Sequence, residues 1–279
     1  MTREKLTTEV ALSAVHVAKS FGAGSAAVTV IDNLHLDIRT GDVTCLVGPS
    51  GVGKTTTSIS IVVEALRRGE RASYYLFDEG VGTLVHRCAS LGMPLESYIE
   101  NGLLEIRSLD PAEMSPGQFA NMVRDAVQVR DAKVVVIDSL NAYLHAMPGA
   151  KFLLLQMHEL LSFLNQQGVI TLLVLGQHGV VGEVRSDVDL SYLSDAIVLF
   201  RYFEARGQLL KAVSVVKSRT SEHELSIREF RLGSDGVQVG PALDDFEGVL
   251  TGIPAYRGNR VLLGDKSSLL AESTGVLRS

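Results

Sequence analysis

The chain has 279 residues, 46% hydrophobic and 21% charged, which is material for one large or two modest globular domains. Its 26 basic and 32 acidic residues leave a net charge of −6, which provides no general electrostatic footprint for nucleic acid or an anionic membrane. No apolar run is long enough to span a bilayer, the amino terminus has no leader pattern, and Cys45 and Cys88 are too few for a disulfide framework or a Cys-rich zinc site. The reading is a cytoplasmic protein with no membrane and no nucleic acid as partner.

Residues 1–40 have a texture of their own. VALSAVHVAKSFG and AAVTVIDNLHLDI alternate on either side of a Gly/Ser/Ala-rich turn, the pattern of an antiparallel β ribbon. From Asp42, short apolar runs alternate with helical patterns: DVTCLVG, then Lys54 to Arg68; ASYYLF, then Gly80 to Gly92; LLEIRS, then Ser115 to Arg130; KVVVID, then Ala150 to Gln167; and VITLLVLG. That order predicts an α/β fold, a mainly parallel sheet flanked by helices. Val134 to Ile137, apolar without interruption, reads as a central strand buried on both faces. Ser115 and Pro116 form a helix start, and Phe119, Met122, Val123, Ala126 and Val127 recur at helical spacing behind them. After Asp195, AIVLFRYF, LLKAVSVVK, LSIREFRL and VQVG predict an antiparallel extension of the sheet. The last stretch is irregular, so the expected division is ribbon 1–40, core 41–245 and a partly ordered tail 246–279.

The chemistry centres on Gly48-Pro49-Ser50-Gly51-Val52-Gly53-Lys54-Thr55, with Thr56 next, which satisfies G-x-x-x-x-G-K-[ST] between a strand and a helix. Glycines let the backbone curl so that N–H groups face a triphosphate, the helix N-terminus adds partial positive charge, and Lys54 reaches the outer phosphates. The bound species is then ATP or ADP with Mg²⁺, held by Thr55 and by Asp138 at the end of the buried run KVVVID. Asp138 could instead cap the following turn, and Ser139 and Asn141 either line the site or cap that turn. Asp78 and Glu79 end another strand. Glu79 is the first candidate to accept a proton from the attacking water and Asp78 the second, against a reading of both as solvated turn residues. Gln177 is placed to sense the terminal phosphate, while His178 reads as a turn or packing residue. No basic residue other than Lys54 follows closely on a strand end expected beside the loop.

From about Thr55 to Gly258 the chain resembles the KaiC-like ATPases of the RecA superfamily. GERASYYLFDEG, KVVVIDSLNAYLHAMP, LLLQMHELLSFLNQQGVITLLVLGQHG, VDLSYLSDAIVLFRYFEA, VVKSRTSEHELSIREFRLG and DFEGVLTGIPAYRG carry the likeness. The resemblance implies a RecA-like P-loop core, ATP hydrolysis led by Asp78 and Glu79, and rings, typically hexamers, with nucleotide between subunits. It also implies that Lys217, Arg219 and His223 approach the neighbour's nucleotide. Val10 to Thr57 is similar instead to the start of an ABC-transporter ATPase, in which an aromatic at the position of Phe21 stacks on adenine. No LSGGQ-like signature and no Walker B followed by Glu comes after it. The expectation is therefore a slow Mg²⁺-dependent ATPase, a chimera of the two families joined near Gly48 to Thr57, with natural divergence as the other origin. A non-hydrolysing nucleotide-binding monomer or dimer is the alternative should the leading segment block ring assembly.

Overall fold

The computed structural model describes residues 10–21, 28–145, 150–177, 193–205, 207–219, 222–234, 236–250 and 255–256, with the ribbon before Asp37 described by its backbone alone. Strands β1 (Val10–Phe21) and β2 (Val28–Arg39) pair antiparallel, as the alternation in residues 10–39 predicts. They form a ribbon whose second strand lies against the far edge of the main sheet.

Six strands of that sheet run parallel: β3 (Val43–Gly48), β4 (Arg71–Leu76), β5 (Leu104–Ser108), β6 (Ala132–Asp138), β7 (Ile170–Gly176) and β8 (Ala196–Ala205). β9 (Gln208–Ser218), β10 (Arg228–Gly233) and β11 (Gly236–Ala242) continue from β8 antiparallel, giving the order β11-β10-β9-β8-β3-β7-β6-β4-β5. This is a mostly parallel mixed sheet flanked by helices, the RecA-like P-loop arrangement. β8 joins the two regimes, parallel to β3 on one side and antiparallel to β9 on the other.

Alternate side chains of the central strands feed two cores. Val134 and Val136 pack with Leu46, Tyr74 and Leu172 beneath α1 (Lys54–Arg67) and α2 (Val81–Ser90). Val135 and Ile137 pack with Cys45, Tyr75 and Leu173 beneath α4 (Pro116–Gln128), α5 (Leu140–His145) and α6 (Ala150–Gln166). Burial on both faces explains why this run carries no polar interruption. α4 opens on the expected cap: Ser115 Oγ accepts from Gln118 N at 3.2 Å, and Gln118 Oε1 accepts from Ser115 N at 2.8 Å.

Two short helices, α3 (Glu96–Glu100) and α5, add to the expected pattern. The opening of the segment read as a tail is packed: Phe246 and Val249 are buried, and the Phe246 ring lies 5.3 Å from that of Phe203. β12 (Phe246–Glu247) pairs there with β13 (Ala255–Tyr256).

Candidate nucleotide site

β3 ends at Gly48, where the sheet and α1 turn the chain into a glycine loop. Gly51 and Gly53 take φ of 74° and 122°, in the region that disfavours other side chains. A Cβ at Gly53 would also lie 2.8 Å from Leu232 Cδ1 and 2.9 Å from Phe230 Cε1. Pro49 and Val52 are buried beneath the loop, while Ser50 and Gly51 form its exposed tip.

Lys54 opens α1 and is only 7% exposed, its Nζ donating to the carbonyls of Gly48 and Pro49 at 2.8 Å each. Burial lowers its pKa from 10.5 to about 8, against the upward pull of Asp138 and Asp78. Thr55 Oγ1 donates to Asp138 Oδ2 at 2.7 Å, and the Tyr74 hydroxyl donates to the same oxygen at 2.8 Å. Burial pushes the Asp138 carboxyl upward, and the bonds from Thr55 and Tyr74 oppose it. Ser58 Oγ stands 2.7 Å behind, from the Tyr74 hydroxyl.

The acidic pair lies on the same cleft, of about 550 Å³, as Lys54, Thr55, Thr56 and Asp138. β4 is three strands away from β3 rather than next to it, and the two strand ends meet because α1 packs across β7, β6 and β4. Ser139 Oγ donates to Asp78 Oδ2 at 2.5 Å and also accepts from Ala142 N at 3.4 Å, so it both lines the cleft and caps the turn. Asn141 turns to β7, its Oδ1 accepting from Gly176 N at 2.8 Å. Glu79 is gripped by both terminal nitrogens of Arg87 on α2, at 2.8 and 2.6 Å.

Other predicted residues fall elsewhere. The Gln177 backbone N–H donates to Gly48 O at 3.0 Å, tying β7 to the loop. Its buried Oε1 has no hydrogen-bond partner among the described residues. Lys217 pairs with Ile197, which pairs with Cys45, so Lys217 and Arg219 lie toward the opposite end of the sheet from Gly48. There Lys217 Nζ donates to Ser194 O at 2.5 Å and Arg219 sits 3.9 Å from Asp195. His223 is half-buried in the segment between β9 and β10, outside the cleft. Phe21 ends β1 opposite Val28, its side chain outside the described residues, as is all of His178.

The sequence reading missed four contributors. Tyr74 and Arg87 are named above. Tyr202 on β8 donates to Ser50 O at 3.4 Å, and Lys211 on β9 donates to Gly51 O at 3.2 Å. Lys211 is therefore a second basic residue at the loop, reaching it from within β9 and not from a strand end beside it. Two-residue alternation in YFEARGQLLK, folded back on itself, was the available signal for Tyr202 and Lys211.

A glycine loop between a parallel strand and a helix, with Thr55 and Asp138 joined beneath it, defines a P-loop NTPase with a RecA-like core. The ATPase family KaiC matches residues 26–244, and the chain belongs to that family. The circadian clock protein KaiC3 of Synechocystis sp. (strain PCC 6803) is 27% identical over 75% of this chain and 41% of its own length. The circadian clock oscillator proteins KaiC of Picosynechococcus sp. (strain PCC 7002) and Synechococcus elongatus (strain PCC 7942) are 25% and 26% identical, each over 82% of this chain. The chain spans 41% to 44% of the length of these relatives. The family match takes in β2 and β3, and so covers much of residues 10–57, the segment for which an ABC-transporter-like start was the expectation.

Proposed function

We propose that the chain binds ATP with Mg²⁺ and hydrolyses it slowly to ADP and phosphate. The observation that supports this best is the 2.7 Å bond between Thr55 and Asp138 on a cleft shared with Lys54, Asp78 and Glu79. Two hard oxygen side chains below a phosphate cradle suit Mg²⁺, which is held by few protein ligands and completes its shell with phosphate and water. Once bound, Mg²⁺ would offset the charge of the triphosphate.

In this reading the loop N–H groups and the α1 N-terminus hold the phosphates, and Lys54 exchanges its two carbonyl partners for phosphate oxygen. Glu79 accepts the proton of the attacking water, with Asp78 as the second candidate, and Gln177 senses the terminal phosphate. Lys217, Arg219 and His223, at or beyond the other end of β9, serve a neighbour's site in a ring, by family likeness a hexamer. The protein works in the cytoplasm without nucleic acid; among the described residues no helix is long and apolar enough to cross a membrane. The domain reading is a ribbon 1–40 and a tail 246–279 attached to the ATPase core. An ABC-like start, and a chimera with it, competes with the family match from residue 26 and rests on Phe21 stacking on adenine.

Phosphate release by the full chain tests the proposal. Lys54→Ala should lose nucleotide binding, and Glu79→Gln should bind ATP yet turn it over slowly. Wild-type binding by Lys54→Ala would remove the loop assignment. A second reading, a non-hydrolysing monomer or dimer, is favoured by one observation, the engagement of both Glu79 oxygens by Arg87. Size-exclusion chromatography with and without ATP, beside the rate measurement, separates the two.

A further inference from the structure

Helix α2 begins two residues after the acidic pair, and its second turn brings Arg87 back over it. Nη1 of Arg87 donates to Glu79 Oε2 at 2.8 Å and Nη2 to Oε1 at 2.6 Å, a fork-on-fork ion pair. Both ends are anchored. Leu84 and Cys88 seat α2 in the core, at 0% and 1% exposure, and the Glu79 carbonyl accepts from Ser108 Oγ at 3.1 Å at the end of β5. Arg87 and Glu79 line the same cleft as Lys54, Thr55 and Asp138, so the pair belongs to the nucleotide site and not to a remote surface.

A carboxylate takes a proton from water through a lone pair that can point at it, and here two charged N–H bonds fix the orientation of the carboxylate on Arg87, leaving one further lone pair on each oxygen. Turning Glu79 toward the phosphate end of the cleft means loosening that fork. Asp78 carries no such clamp, its described bond being the single one from Ser139. Arg87 acts on the triphosphate in the opposite sense, because a cation lining the cleft attracts its negative charge.

We propose that Arg87 is a positioning residue that holds Glu79 back from proton transfer and so slows hydrolysis, while its charge favours binding of the nucleoside triphosphate. The inference rests on the reading of Glu79 as proton acceptor. In the step concerned, the water oxygen bonds to the terminal phosphorus and the bond to the bridging oxygen breaks. The electron pair leaves on ADP, and the water proton goes to a Glu79 oxygen released by Arg87.

The test compares ATP turnover by the full chain as wild type, Arg87→Ala, Arg87→Lys, Glu79→Gln and the double variant, with kcat and KM resolved. Arg87→Ala should raise kcat about two- to fivefold, the scale of one partly exposed ion pair, and should raise KM for ATP. Arg87→Lys keeps the charge but not the fork, so its KM should stay near wild type while kcat rises less. In the Glu79→Gln background Arg87→Ala should bring no acceleration, since no clamped carboxylate remains. A kcat that falls in both Arg87 variants, with Glu79→Gln still slow, overturns the brake and leaves Arg87 as a transition-state cation or a scaffold. Wild-type turnover by Glu79→Gln overturns instead the reading of Glu79 itself. Arg87→Lys retains the hydrocarbon stem and provides the same comparison if thermal melting shows Arg87→Ala to be unfolded.

Discussion

Lys54 is held at a thermodynamic disadvantage, and replacing it with a neutral residue of similar length should stabilise the fold while abolishing its chemistry. The side chain is 7% exposed, and burial lowers its pKa from 10.5 to about 8. At neutral pH that drop corresponds to about 3 kcal/mol of destabilisation from keeping the ammonium charged inside the cleft. Lys54→Met removes this term and also loses the two bonds to Gly48 O and Pro49 O, which contribute about 1 kcal/mol each. Gly48 O keeps the Gln177 N–H, so one carbonyl retains a partner. The remainder is a gain of about 1 kcal/mol, or about 2–4 °C in the melting midpoint of a chain this long. Because the folded pKa lies below the unfolded one, the unfolded chain binds more protons between pH of about 8 and 10.5, so wild-type stability rises relative to the variant across that window. Melting of both proteins by scanning fluorimetry at several pH values from 7 to about 10 reads the difference directly. A wild type more stable than Lys54→Met at pH of about 7, with a gap that does not respond to pH, would refute the argument.

Gly53→Ala should lose nucleotide binding and about 1–3 kcal/mol of stability, since its φ of 122° and contacts of 2.8 and 2.9 Å to Leu232 and Phe230 leave no room for a methyl group. Nucleotide titration and melting check it. Tyr74→Phe should cost about 1 kcal/mol by removing the hydroxyl between Asp138 and Ser58, and should weaken Mg²⁺-dependent stabilisation by ATP, read as the shift of the melting midpoint with Mg²⁺. Mixing Lys54→Ala with Arg219→Ala chains should restore ATP turnover through hybrid interfaces. No recovery in mixtures shown to co-assemble would leave the site self-contained.

What the sequence makes legible are the features written in neighbouring residues. The loop is a contiguous octapeptide, the α4 cap needs only Ser115 and Gln118, and double-sided burial of β6 is visible in four consecutive apolar residues. Thr55 and Asp138 were also within reach, although 83 residues apart, because Thr55 lies in the first turn of the helix behind the loop and Asp138 ends a strand, each within a recognisable pattern. Tyr74 was not, since its bond to Asp138 joins two strands whose adjacency depends on the strand order. Without that order a tyrosine in SYYLF is only an apolar residue of a buried strand. Arg87 was hidden by helix geometry: eight residues separate it from Glu79, and only the exit angle of α2 determines whether a guanidinium on its second turn folds back or faces solvent. The parallel pairing of β8 was hidden for a similar reason, as its antiparallel partner β9 is next in sequence and its parallel partner β3 is not.

The antiparallel extension relates the two ends of the proposed machine. On β9, Lys211 stands opposite Tyr202 and reaches the loop tip, while Lys217 stands opposite Ile197, about 20 Å along the strand at ~3.4 Å per residue. Six residues is an even spacing, so a regular strand would turn both lysines to the same face of the sheet. It does not, because the register passes from Val198–Val215 to Ile197–Lys217 and leaves Val216 as an extra residue. Tyr202 belongs to the core under α1, and Ile197 to the core under α4 and α6. The bulge therefore assigns Lys211 to the face of the chain's own nucleotide loop and Lys217 to the other face, re-aiming a side chain as bulges do. A single irregular residue lets one hydrogen-bonded strand touch its own loop at one end and, under the proposed ring, offer cations to a neighbour at the other.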